Sequence, residues 1–110
     1  MHKVEVVLQP DCLADVSAAL RKAKIGPFQA SDVTVFDPAA PPDGSYRGAR
    51  YAIGRGRLKL ELIVPDHEVE AAIDAIRDGF GHGDAELVVL AVRDSVHLRP
   101  SPWMRSRAAR

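Results

Sequence analysis

The feature that most constrains this chain is a diverged internal duplication. Val6-Val7-Leu8-Gln9-Pro10-Asp11 aligns with Glu61-Leu62-Ile63-Val64-Pro65-Asp66. After one residue of slippage, Leu13, Val16, Ala19, Leu20 and Arg21 align with Val69, Ala72, Ala75, Ile76 and Arg77. Each copy is an apolar run, then Pro-Asp, then a segment of helical period. Two copies are too few for a solenoid, so the duplication reads as two β-α-β halves.

In the first half, Val4, Val6 and Leu8 alternate with Lys3, Glu5 and Val7, the period of a half-buried strand. Pro10 ends it, and Asp11 is an N-cap candidate for a helix over Leu13–Lys24, with Leu13, Val16, Leu20 and Ala23 as its stripe. Gly26-Pro27 stops that helix, and a strand is expected from about Phe28 to Phe36. In the second half, Leu58, Leu60, Leu62 and Val64 alternate, and Asp66 is the N-cap candidate of a helix over Asp66–Asp78 striped by Val69, Ile73, Ile76 and Phe80. Gly79, Gly81 and Gly83 are expected to break it before a last strand at Ala85–Val92 and a further alternating piece at Val96–Arg99. The order β-α-β-β-α-β predicts an α+β, ferredoxin-like sandwich: a four-stranded antiparallel sheet with two helices on one face.

With 110 residues and 46% apolar content, the chain fits one domain, expected over residues 1–99, with a Pro/Arg-rich tail at 100–110. The 15 basic and 15 acidic residues cancel, which argues against a whole-chain grip on nucleic acid. A single cysteine, Cys12, excludes an internal disulfide framework and a multi-thiolate zinc site. No apolar run approaches the roughly 18 residues of a membrane span, and the start MHKVEVVLQP has no signal-peptide core. The expectation is a soluble protein of a reducing compartment, not inserted in a membrane.

The connection between the halves, Asp37 to Arg57, is too long for an ordinary hairpin loop. Asp37-Pro38-Ala39-Ala40-Pro41-Pro42-Asp43-Gly44-Ser45 is unsuited to regular structure. The remainder, from Tyr46 to Arg57, carries Arg47, Arg50, Arg55 and Arg57 and no acid. Long loops of this kind are usually functional; the alternative is a solvated β-hairpin extension.

Tyr46-Arg47-Gly48-Ala49-Arg50-Tyr51 resembles the tip of the T-loop in the PII family of signal-transduction proteins, which typically reads Tyr-Arg-Gly-Ala-Glu-Tyr. The resemblance runs from Met1 to about Arg99. It takes in the strand ending at Pro10, the helix from Leu13, Val33 before Phe36, Arg57-Leu58-Lys59-Leu60-Glu61, the helix after Pro65-Asp66, and Gly83-Asp84 before the last strand. It implies a homotrimer, an effector site between subunits for an adenine nucleotide, and a mobile T-loop that docks on a membrane transporter or metabolic enzyme. The implied effector-site residues are Val33, Val35, Phe36, Asp37, Gly83, Asp84, His97 and Arg99. Tyr46, Arg47 and Arg50 are the implied partner-binding residues, and Tyr51 matches a position modified in some members. The location implied is the cytoplasm, with membrane association only through a partner.

Departures from the family pattern bear on the effector. The glutamine that holds magnesium early in the family's T-loop is absent from Asp37-Pro38-Ala39. Glu86 stands where a lysine usually meets the phosphates, and a carboxylate there repels a triphosphate. His97-Leu98-Arg99 replaces Arg-x-Arg. The site is therefore expected to favour ADP, AMP or a cyclic nucleotide over magnesium-ATP held jointly with 2-oxoglutarate. Arg50 for glutamate inverts the charge beside Tyr51.

Other constellations are weaker. The basic run with Tyr46 and Tyr51 invites an RNA-binding reading, but Ala49 stands where an aromatic is needed and the first strand has none. His2, His67, His82 and His97 lack the close pairing of a metal site. A trimeric divalent-metal-binding or metal-tolerance protein of the same fold is the alternative function. No catalytic arrangement is recognisable, so an enzyme is not expected. The tail 101–110 carries three arginines, Trp103 and Met104 and no acid, and is read as a disordered end or one that folds back or meets a partner.

Overall fold

Along β1 (His2–Leu8), Val4, Val6 and Leu8 are buried while Lys3 and Glu5 lie on the other face, as the alternation requires. The computed structural model describes residues 1–39, 44–46, 49–51, 54–81 and 83–101. After β1 come α1 (Leu13–Lys22), β2 (Gln29–Val35), β3 (Gly44–Tyr46), β4 (Ala49–Tyr51), β5 (Arg55–Val64), α2 (Val69–Phe80) and β6 (Leu87–Ala91). Strands β2, β5, β1 and β6, in that order, make one antiparallel sheet. The ferredoxin-like sandwich is therefore present. Strands β3 and β4 form a separate two-stranded ladder inside the long connection. Gly44 and Ser45, expected to be irregular, thus belong to a strand.

The duplicated strands are the central pair, with Leu8 opposite Leu58 and His2 opposite Val64. Both send their apolar residues to the face that the helices cover. Val4, Val6, Leu60, Leu62 and Val64 meet Val16 and Leu20 of α1 and Ala72, Ala75 and Ile76 of α2 in one core. The α1 stripe is narrower than its periodicity suggested, because Ala23 lies past the helix end and is exposed.

Both helix starts correct the sequence reading. Pro10–Cys12 and Asp66–Glu68 are 3₁₀ turns, closed by Cys12 N–H to the Gln9 carbonyl at 3.0 Å and Glu68 N–H to the Pro65 carbonyl at 2.9 Å. Neither aspartate caps a helix through its side chain. Asp66 instead takes the Met1 ammonium and His2 Nδ1, the latter at 2.7 Å. This holds its carboxyl below the usual range, the ammonium being the larger cause. The α1 C-terminus is also earlier than expected. Lys24 turns left-handed at φ 60°, and Ile25 N–H reaches back to the Leu20 carbonyl at 3.0 Å, so the chain has turned before Gly26.

Gly79 does not break α2. It lies inside the helix where α2 crosses α1, and a Cβ there would sit 2.5 Å from Val16 Cα and 2.9 Å from the Asp15 carbonyl oxygen. Gly81, at φ 76°, ends the helix.

On the uncovered face, Glu5 and Glu61 stand opposite each other across the β1–β5 register, a repulsive pairing on its own. Lys3 bridges them at 2.9 and 2.8 Å, and Lys59 approaches them at 3.8 and 3.3 Å. Hydrogen bonds from Lys3 first and Lys59 second depress the Glu61 carboxyl, while Glu61 and then Glu5 raise Lys3. The depressed carboxylate contributes stability above its unfolded pKa of about 4.3 and loses it as pH falls through the lower folded value. The raised ammonium contributes below about pH 10.4 and loses it as pH climbs past its folded value. Glu61→Gln should lower Tm by a few degrees at most at neutral pH. The gap to wild type should close below about pH 4; a thermal-melt series showing a pH-independent gap would remove the electrostatic account.

Candidate functional site

Antiparallel pairing brings the end of β1 beside the start of β5, and α2 finishes at the same end of the sheet. Val7, Leu8, Gln9, Asp11 and Cys12 therefore meet Arg57, Phe80 and the Gly83-Asp84-Ala85 connection around a cleft of about 330 Å³. The guanidinium of Arg57 donates from Nη1 to the Gly56 carbonyl at 2.8 Å, which fixes one arm of the fork and leaves further donors for a guest. Gly83 holds φ 99°, a turn that side chains avoid and in which successive backbone N–H groups can converge on an anion. The Cys12 thiol is 3.7 Å from the Phe80 carbonyl oxygen and 3.7 Å from Asp11 Oδ1. Burial first, then the Asp11 charge, raise its pKa, so it stays a neutral thiol rather than a nucleophile.

Of the residues expected at the effector site, Gly83 and Asp84 line this cleft. Val33 is half-buried on β2 directly opposite Arg57, one strand removed from it. Val35 and Phe36 continue β2 outward, and Phe36 is 62% exposed. Its ring lies over the backbone of Gly54, where an added Cβ would be 2.6 Å from Cζ and 2.3 Å from the Thr34 methyl. Asp37 Oδ1 accepts the Ala39 N–H at 2.9 Å, a local turn that starts the long connection.

His97 and Arg99 do not reach the cleft within one chain. The expected strand at 96–99 is absent, and Val96 and Leu98 are 75% and 86% exposed. Alternation alone makes no strand without a ladder partner, and β6 ends at Ala91 opposite His2, at the far end of the sheet from the cleft. In the arm, Tyr46 pairs with Ala49, and Arg50 and Tyr51 stand opposite Ser45 and Gly44. Arg47, His82 and the tail from 102 onward lie outside the described residues.

Sequence reasoning left Gln9, Asp11, Cys12, Arg57 and Phe80 unassigned to the effector site. The signal was present: Gln9 ends one duplicated strand and Arg57 begins the other, so pairing of the two copies must bring them together.

No family model matches the chain. Among curated proteins, the nitrogen regulatory protein P-II of Rhodobacter capsulatus is 30% identical over 103 residues, covering 90% of this chain and 92% of the relative. That of Microchaete diplosiphon is 32% identical over 104 residues, with the same two coverages. The chain belongs to the PII family. A solved structure agrees: Arabidopsis thaliana PII bound to citrate superposes with a TM-score of 0.70 at 28% identity, covering 88% of this chain and 79% of that one. The PII family is regulatory rather than catalytic, and this member keeps its four-stranded sheet and two helices. Among the described residues, no three His, Cys, Asp or Glu side chains converge as metal ligands. No helix there is long and apolar enough to cross a membrane.

Proposed function

We propose that this PII-family chain is a homotrimeric signal-transduction protein whose inter-subunit cleft takes ADP or AMP and whose arm, residues 37–57, carries the result to a target. The observation that carries this reading is the cleft itself, which places the Arg57 guanidinium and the Gly83-Asp84 backbone at the root of the arm. A diphosphate or monophosphate suits one guanidinium and a backbone nest, whereas Glu86 beside that nest opposes a third phosphate. His97 and Arg99, which do not line the cleft in one chain, would be supplied to it by a neighbouring copy. Trimerisation also accounts for β6, an edge strand with Val88, Val89 and Leu90 each at least 40% exposed.

The similar Arabidopsis PII was solved with citrate, a small polyanion, bound, which supports an anionic effector here. Effector binding would shift the population of arm conformers and so the affinity for a target, a membrane transporter or a metabolic enzyme in the cytoplasm. Tyr46, Arg47 and Arg50 would make that contact, and Tyr51 is the candidate for covalent modification.

Sedimentation and calorimetry test the reading together, using ATP, ADP, AMP, cyclic AMP, 2-oxoglutarate, copper and zinc. The expected result is a trimer that binds ADP or AMP at least tenfold tighter than magnesium-ATP, with no gain from 2-oxoglutarate. A monomer, or a preference for magnesium-ATP strengthened by 2-oxoglutarate, overturns it. Tight copper or zinc binding with no nucleotide response would favour a divalent-metal protein of the same fold.

A further inference from the structure

The face of the two helices that points away from the sheet carries a groove of about 740 Å³ that plays no part in the cleft. Its floor is made of small residues, among them Ala19, Ala75 and Gly79, because the close crossing at Gly79 leaves no room for larger ones. Its rim holds Asp15, Asp74 and Asp78 against one cation, Lys22. Asp74 shares its charge with Arg77 at 3.2 Å, and Asp15 and Asp78 make no ion pair among the described residues.

The chain contains a segment of opposite character: Trp103-Met104-Arg105-Ser106-Arg107-Ala108-Ala109-Arg110 has three cations, no acid and its largest aromatic side chain. We propose that this tail is the groove's occupant, with Trp103 laid on the alanine and glycine floor and the arginines on the aspartate rim. Spacing supports the match. Asp74 and Asp78 are one helical turn apart, about 6 Å along the axis, and Arg105 and Arg107 in an extended segment are about 6.6 Å apart. Arginine forks also suit carboxylates geometrically.

The exit point agrees as well. The Val92 N–H bonds the Met1 carbonyl at 3.1 Å, and Met1 contacts Asp66 just before α2, so the chain leaves the sheet at the end where α2 begins. From there, Trp103 is eleven residues on, roughly 36 Å of extended chain. An α2 of 12 residues is only about 18 Å long, and the cleft-lining Phe80 lies between Gly79 and Gly81 of the groove, so a tail whose Arg99 serves a neighbouring copy's cleft meets that copy's groove.

Trp103 is the sole tryptophan, which makes intrinsic fluorescence of the full chain a direct readout. Acrylamide quenching of Trp103 should be several-fold weaker than in a synthetic peptide of residues 100–110. High salt, or the double change Asp74→Asn with Asp78→Asn, should restore peptide-like quenching. Arg105→Gln with Arg107→Gln should do the same from the other side, while far-UV circular dichroism shows each variant folded. Quenching equal to that of the peptide in the wild-type chain overturns the proposal. So does protection that is indifferent to both pairs of changes. Emission that shifts only on adding phosphatidylserine vesicles would assign the tail to a lipid surface and overturn it equally.

Discussion

Alanine in place of Gly79 should lower the unfolding midpoint by roughly 10 °C. Helix propensity alone argues the other way, since alanine inside a helix is about 1 kcal/mol better than glycine. Packing decides the sign. The added methyl would meet Val16 Cα at 2.5 Å, Val16 N at 2.8 Å and the Asp15 carbonyl oxygen at 2.9 Å, all of them backbone atoms that no rotamer change can move aside. The helices must separate, and overpacking of this kind costs about 3 kcal/mol at the upper end of its usual range. The net loss of about 2 kcal/mol corresponds to that midpoint shift in a domain of this size. Thermal melts followed by circular dichroism, at one fixed protein concentration, make the measurement. An unchanged or higher midpoint would show that the helices give way easily and that the crossing is loose.

The second large effect concerns the effector. Glu86→Lys exchanges a negative charge for a positive one directly after the Gly83-Asp84-Ala85 wall of the cleft. A swing of two unit charges within several ångströms of a phosphate, in partly screened surroundings, should shift the ratio of magnesium-ATP to AMP affinity by roughly thirty- to a hundredfold toward the triphosphate. Competition calorimetry on both proteins reads that ratio, and the shift should shrink as salt is added. A ratio that stays within a few-fold of wild type would place the phosphates elsewhere and discard Glu86 as the selective residue.

The fold was legible because its signals are local and occur twice. The alternation around Val4 and Leu60 and the stripes through Leu20 and Ile76 each specify a face, and the duplication says which strands are equivalent. The less legible points are decided by contacts between distant segments. Asp11 and Asp66 look like caps in sequence, yet the preceding prolines set up 3₁₀ turns, and Asp66 finds cations at the start of the chain. Gly79 looks like punctuation because only the path of α1 reveals that its missing side chain makes room for a neighbouring backbone. At the site, Gly83 and Asp84 were readable as a turn that lines the cleft. Arg57 was readable only as one charge in a basic run until the register placed it beside Gln9. His97 and Arg99 show the reverse case, since their alternation suggested a strand for which one chain supplies no partner.

The contact between Phe36 and Gly54 ties the two ends of the arm to each other. Phe36 stands where the outgoing leg of the arm begins and Gly54 near the close of its return, so a single aromatic ring bolts the two legs together at their root. If the proposed function holds, an effector that lifts that ring would free both legs together, so that the arm would answer as one lever rather than as two independent strings.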